Sequence, residues 1–251
     1  MYVTNAVNVS VIDPSTNTVV DTIEAGSFPY DFIFNPSNEL MYVGNLNSQD
    51  ISVIDPSTNT VVDTIEVGIT PFAFEINPTD NNIYVANRGS NEVSVIDPSS
   101  NSVIETIAVG EHPMDLEINP NNGHLYVATY FSNSVSVIDI SSNTVMETIQ
   151  VGNNPYSVQL NPINNRIYVA VSGSDIVSVI DSNTNTVVDT VDVGDTPLAI
   201  EYNPTNYNMY VTNFNSGDVS VIDTGLSSLL SPVADAGPDQ SAESNELVQI
   251  D

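Results

Sequence analysis

Ile83-Tyr84-Val85-Ala86-Asn87, Glu92-Val93-Ser94-Val95-Ile96-Asp97 and Ser102-Val103-Ile104-Glu105-Thr106-Ile107 are three short runs rich in β-branched residues. Arg88-Gly89-Ser90-Asn91 and Pro98-Ser99-Ser100-Asn101 separate them. A fourth run, Phe72 to Asn77, precedes them and closes on Asn77-Pro78-Thr79-Asp80. Val, Ile and Tyr suit a pleated, half-buried surface. No run carries a sustained 3.6-residue period, and turn residues intervene every eight to twelve positions, so the unit reads as four strands. In Asp97-Pro98-Ser99-Ser100-Asn101, proline presets φ and the aspartate oxygen can accept from amides further on, which is turn chemistry.

The same unit recurs along the chain. Tyr-Val stands at Tyr2, Tyr42, Tyr84, Tyr126, Tyr168 and Tyr210, and Ser-Val-Ile-Asp ends at Asp13, Asp55, Asp97, Asp139, Asp181 and Asp223. Gly26, Gly68, Gly110, Gly152 and Gly194 follow, then Pro29, Pro71, Pro113, Pro155 and Pro197, each opening the next unit. Four antiparallel strands per 40–45 residues is the arithmetic of a β-propeller blade. The expected chain is all-β, with about six blade-like units of four-stranded antiparallel sheet. The first unit lacks its leading strand and the last its closing one, so the terminal units are expected to be incomplete, as in a piece of a longer gene.

Composition narrows the function. The 251 residues carry 32 acidic side chains against two basic ones, Arg88 and Arg166, for a formal charge of −30. Such a chain lacks the clustered cations that neutralise nucleic-acid phosphates or dock on anionic lipid. It has no cysteine, which removes disulfides, thiolate metal sites and covalently attached c-type haem. No apolar stretch is long enough to cross a bilayer as a helix.

Tyr2-Val3-Thr4-Asn5 and Tyr210-Val211-Thr212-Asn213, with variants at Tyr42-Val43-Gly44-Asn45 and Tyr84-Val85-Ala86-Asn87, resemble the YVTN-type β-propeller repeat over residues 1–223. Residues 224–231 read as a linker. Residues 232–251, from Pro232-Val233-Ala234-Asp235-Ala236-Gly237 to Glu246-Leu247-Val248, resemble the opening of a PKD domain. The resemblance is to archaeal surface-layer and cell-surface proteins. It implies seven blades in the parent and an extracellular, non-enzymatic scaffold or adhesion module, with other cell-surface proteins or matrix components as partners. The alternative it leaves open is a propeller enzyme with a central-channel site, such as a lactonase or a dehydrogenase-type subunit.

Three groups of residues are candidates for chemistry. Ile33, Glu75, Glu117, Gln159 and Glu201 share one column of the leading strand, two residues after Asp31, Ala73, Asp115, Ser157 and Ala199. Glu75, Glu117 and Glu201, helped by Asp115, could hold calcium, a hard cation that takes oxygen ligands, or could line a solvated channel mouth. Tyr130, Phe131 and Phe214 stand in the variable loops between the second and third strands, as aromatic anchors for a partner or as drifting loop residues. His112 and His124 have no counterparts in other units and read as incidental. The six Ser-Val-Ile-Asp aspartates read as turn caps.

Overall fold

The computed structural model describes residues 1–225. Most of the expected linker and the whole PKD-like stretch lie outside the described residues. Among the described residues, 22 strands form six separate antiparallel sheets, and no helix occurs.

Strands β1 (Tyr2–Thr4), β2 (Val9–Asp13) and β3 (Thr18–Ile23) make a three-stranded first blade. The second holds β4 (Pro29–Asn35), β5 (Leu40–Asn45), β6 (Asp50–Asp55) and β7 (Thr60–Glu66). The third holds β8 (Pro71–Ile76), β9 (Ile83–Asn87), β10 (Glu92–Asp97) and β11 (Ser102–Ala108). The fourth holds β12 (Pro113–Asn119), β13 (His124–Thr129), β14 (Ser134–Asp139) and β15 (Thr144–Gln150). The fifth holds β16 (Pro155–Asn161), β17 (Arg166–Val171), β18 (Ile176–Asp181) and β19 (Thr186–Asp192). A last, three-stranded blade holds β20 (Pro197–Tyr202), β21 (Met209–Asn213) and β22 (Asp218–Ile222).

The leading strands β4, β8, β12, β16 and β20 pack side by side around a common axis, while the closing strands stand outermost. In β7, β11 and β15 a single residue is buried, Ile65, Ile107 and Ile149 respectively. The middle strands are buried on both faces because each blade stacks on the next: Ile51 and Val53 of one blade meet Ile83, Val85 and Ile96 of its neighbour. Only the end faces depart from this. Val219 and Val221 are 55% and 54% exposed, whereas their counterparts Val93 and Val95 are fully buried.

The recurring motif residues explain the stacking. In each Ser-Val-Ile-Asp turn the aspartate accepts from the amide two residues on, as Ser57 N donates to Asp55 Oδ1 at 2.8 Å and Ser99 N to Asp97 Oδ1 at 2.8 Å. The asparagine that ends the turn takes the left-handed conformation, with φ of 55° at Asn59, 48° at Asn101 and 51° at Asn143, a region asparagine tolerates better than most residues. Its side chain then receives the tyrosine of the preceding blade. Tyr2 reaches Asn59 at 2.9 Å, Tyr42 Asn101 at 2.9 Å, Tyr84 Asn143 at 3.0 Å and Tyr126 Asn185 at 2.9 Å. One asparagine therefore makes a turn and latches two blades.

Candidate active site

Each leading strand starts with a β-bulge. The register shifts between Pro29 and Phe32, Pro71 and Ala73, Pro113 and Asp115, Pro155 and Ser157, and Pro197 and Ala199. A bulge leaves its extra residue unpaired and re-aims the side chain. That residue is Phe72, Met114, Tyr156 or Leu198, and in β4 both Tyr30 and Asp31 are left unpaired. The loop between the second and third strands is tied to this start by backbone bonds, Arg88 N to Thr70 O at 2.9 Å and Tyr130 N to His112 O at 2.9 Å. Bulge and loop residues from successive blades thus meet at one end of the channel.

There they form a ladder. Tyr30 stacks on Phe72 with ring centroids 4.8 Å apart, and the Arg88 guanidinium lies 5.3 Å over the Phe72 ring. Arg88 Nε donates to His112 Nδ1 at 3.3 Å. The His112 ring packs on Phe131 at 4.3 Å, Phe131 meets Tyr130 edge-on at 5.1 Å, and Tyr130 meets Tyr156 at 6.3 Å. Burial, and then the Arg88 charge, pull the His112 pKa below its ordinary value. His112 is therefore a neutral acceptor for Arg88.

Below the ladder lie the carboxyls of the leading strands. A carboxylate on one strand accepts from the next strand's backbone: Val158 N donates to Asp115 Oδ2 at 2.9 Å and Leu160 N to Glu117 Oε1 at 3.0 Å. Ser157 Oγ adds a bond to Asp115 at 2.8 Å, and Gln159 Nε2 one to Glu117 at 3.0 Å. Neighbouring leading strands carry amides that no sheet partner satisfies, and these side chains lace them together. Desolvation still dominates. Burial pushes Asp31 and Asp115 each up to about 6. It pushes Glu75 to about 7, with the Asp115 charge adding to the shift, and Glu117 to about 8, with Glu75 adding. The raised Tyr156 phenol, shifted first by burial, also responds to Tyr30, Arg88, Tyr130 and Asp115, so the ladder and the carboxyls share one electrostatic neighbourhood.

Glu75, Glu117 and Asp115 are thus neighbours, and the Glu201 charge, on an exposed side chain, reaches Glu117. Among the described residues no three acidic, histidine or cysteine side chains are placed to hold a metal ion. Tyr130 and Phe131 belong to the ladder, whereas Phe214 stands 71% exposed on the last blade. The sequence reading missed Tyr30, Phe72, Arg88, His112 and Tyr156. Two signals were present: the column after each proline is enriched in aromatics, and Arg88 is one of only two cations.

A family model described as lactonase, seven-bladed β-propeller, matches residues 57–146. The matched stretch contains Phe72, Glu75, Arg88, His112, Asp115, Glu117, Tyr130 and Phe131. The expectation of a non-enzymatic chain is overturned by this match. No curated protein matches the chain. Among solved structures, a functionally unknown protein from Desulfotomaculum acetoxidans is similar at 18% identity with a TM-score of 0.72, over 86% of this chain and 76% of that one. Kuenenia stuttgartiensis hydrazine synthase is similar at 20% identity with a TM-score of 0.57, over 89% of this chain and 92% of that one. At these identities the likeness concerns the fold.

Proposed function

We propose that the chain is a propeller hydrolase that opens a lactone in its channel. The observation that carries this reading is that the Arg88–His112 pair and the carboxyls held near neutrality stand on the same two adjoining blades, all inside the stretch matched by the lactonase family. Hydrolysis of a cyclic ester needs a base for water, a donor for the oxyanion, and an acid for the departing alkoxide. Glu75, at about 7, is poised to take a proton from water. Arg88 has its guanidinium face on Phe72 and its Nε on neutral His112, which leaves its other N–H groups as the donors for the charge that develops on the carbonyl oxygen. Glu117, at about 8, is protonated at neutral pH and supplies the proton when the ring C–O bond breaks. His112 is a positioning residue. The YVTN-type signature, the PKD-like tail and the −30 charge support placing this activity on a secreted or surface-layer protein.

The test is proton release from a panel of five- and six-membered lactones in weak buffer. Arg88→Met and Glu75→Gln are each expected to lower kcat/KM by about 10²- to 10³-fold. A wild-type rate no faster than buffer with every lactone rejects the reading.

A further inference from the structure

We propose that residues 247–251 add to the open edge of β1 as the leading strand that the first blade lacks.

The first blade supplies one half of the argument. Among the described residues β1 pairs with β2 alone, whereas the corresponding strand of every other blade has a leading strand on its other edge. An open strand edge is a template for another extended segment. The side chains around it are apolar and uncovered. Met1 and Val3 are 60% and 41% exposed, while their counterparts Ile83 and Val85 in the third blade are fully buried. Phe34 on the second blade is 48% exposed, against 4% for Ile118 in the same column. Beside it lies a cavity of about 660 Å³ lined by Phe34, Pro36, Leu40, Asp55 and Pro56, which belong to the two turns of the second blade and their flanks. One blade further on, the same two turns are covered by the preceding blade: Asn35 Nδ2 donates to Asn81 O at 3.5 Å and Asn38 Nδ2 to Pro98 O at 3.2 Å. The cavity is therefore the seat of the end of a leading strand.

Sequence supplies the other half. Leading strands run apolar, Glu or Gln, apolar, Asn, as in Phe74-Glu75-Ile76-Asn77, Leu116-Glu117-Ile118-Asn119 and Val158-Gln159-Leu160-Asn161. Val248-Gln249-Ile250-Asp251 has the same order with Asp in the last place, and no other stretch beyond Gly225 does. Asn245 stands where the other leading strands open on proline, which leaves the alternation intact. Resemblance alone puts this segment in the PKD-like stretch; the open blade gives it a place in the propeller. The register follows from the third blade, where Phe74 faces Val85, Glu75 faces Tyr84 and Ile76 faces Ile83. Val248 is thereby set opposite Val3, Gln249 opposite Tyr2 and Ile250 opposite Met1. Gln249 joins the channel column, and its carbonyl oxygen takes the Phe34 amide as Glu117 takes that of Leu160. The roughly twenty residues between Gly225 and Leu247 span up to about 70 Å when extended, and a folded chain of this length is only about 45 Å across.

The chain has no cysteine, so introduced pairs report the docking without background. Residues opposite each other on antiparallel strands have Cα atoms about 4.5–5.5 Å apart, within disulfide range. Under oxidised glutathione, Val3→Cys with Val248→Cys should close an intramolecular disulfide. It should do so about tenfold or more faster than Val3→Cys with Gln249→Cys, which puts the second thiol on the other face, or with Val233→Cys. Hydrogen exchange gives a second readout. A chain ending at residue 231 should exchange its β1 amides about tenfold or more faster than the full chain, and Val248→Asp with Ile250→Asp should act in the same direction. Equal cross-linking of the three pairs, or none, overturns the proposal. So does a disulfide formed only between copies, or β1 exchange that truncation leaves unchanged.

Discussion

Asp97 and Asp115 stand eighteen positions apart in one sequence and titrate in opposite directions. Asp97 caps an exposed turn, accepts from Ser99 N and from Ser100 Oγ, and is held below the ordinary carboxylate value first by the Ser99 side chain and then by those bonds. Asp115 accepts three bonds, from Leu116 N, Val158 N and Ser157 Oγ. It is nonetheless pushed up to about 6. Hydrogen bonds lower both groups, so their number does not decide the outcome. Burial does: at the turn, water solvates the charge on every side, whereas along the channel the packed strands leave Asp31, Glu75, Asp115 and Glu117 only partly exposed. The acidic chain thus contains two populations of carboxyl, one at exposed turns and ionised, one along the channel and titrating near neutrality.

The strongest way to break this comparison is to move one substitution between the populations. Glu75→Gln should remove about two orders of magnitude or more of lactone hydrolysis. Asp97→Asn should leave the rate within about twofold, since a turn cap touches no substrate. Equal losses would show that the channel carboxyls have no special chemistry.

Stability against pH sharpens it next. The turn aspartates Asp13, Asp55, Asp97, Asp139 and Asp181 have lowered folded values, chiefly through hydrogen bonds at the turn. Their contribution is present above the ordinary value of 3.8 and lost as pH falls through the folded values. The channel groups run the other way. Glu117, raised from 4.5 to about 8, costs nothing while protonated in both folded and unfolded chains. It destabilises progressively as pH rises through that window. The melting temperature should therefore peak near pH 5 and decline towards both pH 3 and pH 8. Glu117→Gln should flatten the alkaline limb, gaining about 2–4 °C at pH 8 and less at pH 5. A melting temperature that climbs steadily from pH 5 to 8 in the wild-type chain would contradict the assignment.

A smaller effect tests the scaffold that separates the two populations. Tyr84 is fully buried, and its phenol, pushed by burial to about 12, donates to Asn143 Oδ1 at 3.0 Å. Tyr84→Phe should cost about 1–2 kcal/mol in chemical denaturation by leaving that acceptor unpaired. The channel carboxyl titration should be unaltered. The finest adjustment is Ser157→Ala. Removing a bond that lowers Asp115 should move its value upward from about 6, read by carbon NMR of the carboxyl resonances. A downward shift would show that the hydroxyl disfavours the charge.

The period, the strands and the turns were legible in residues because their causes are local. Ile83–Asn87 and Glu92–Asp97 form strands with the bounds expected from their β-branched runs and the turn residues between them, while β8 begins earlier than expected, at Pro71, because that residue pairs with Asn87. The acidic column of Glu75, Glu117 and Glu201 was equally readable, since period-two alternation assigns a face without reference to any neighbour. What that column would do was not readable. Whether several carboxyls bind a cation, stay solvated or retain protons depends on how far packed strands exclude water, a property of the assembled channel. The ladder was less accessible still. Tyr30, Phe72, Arg88, His112, Phe131, Tyr130 and Tyr156 come from successive repeats, and a repeat-by-repeat reading treats each as an unrelated departure from consensus. Only the stacking of blades, with a bulge turning one residue per leading strand towards the mouth, brings them into contact. Sequence by itself determined the repeating unit and the face on which its acids lie. Tertiary structure decided which departures meet and which carboxyls lose their water, because both depend on distances between blades that no local pattern encodes.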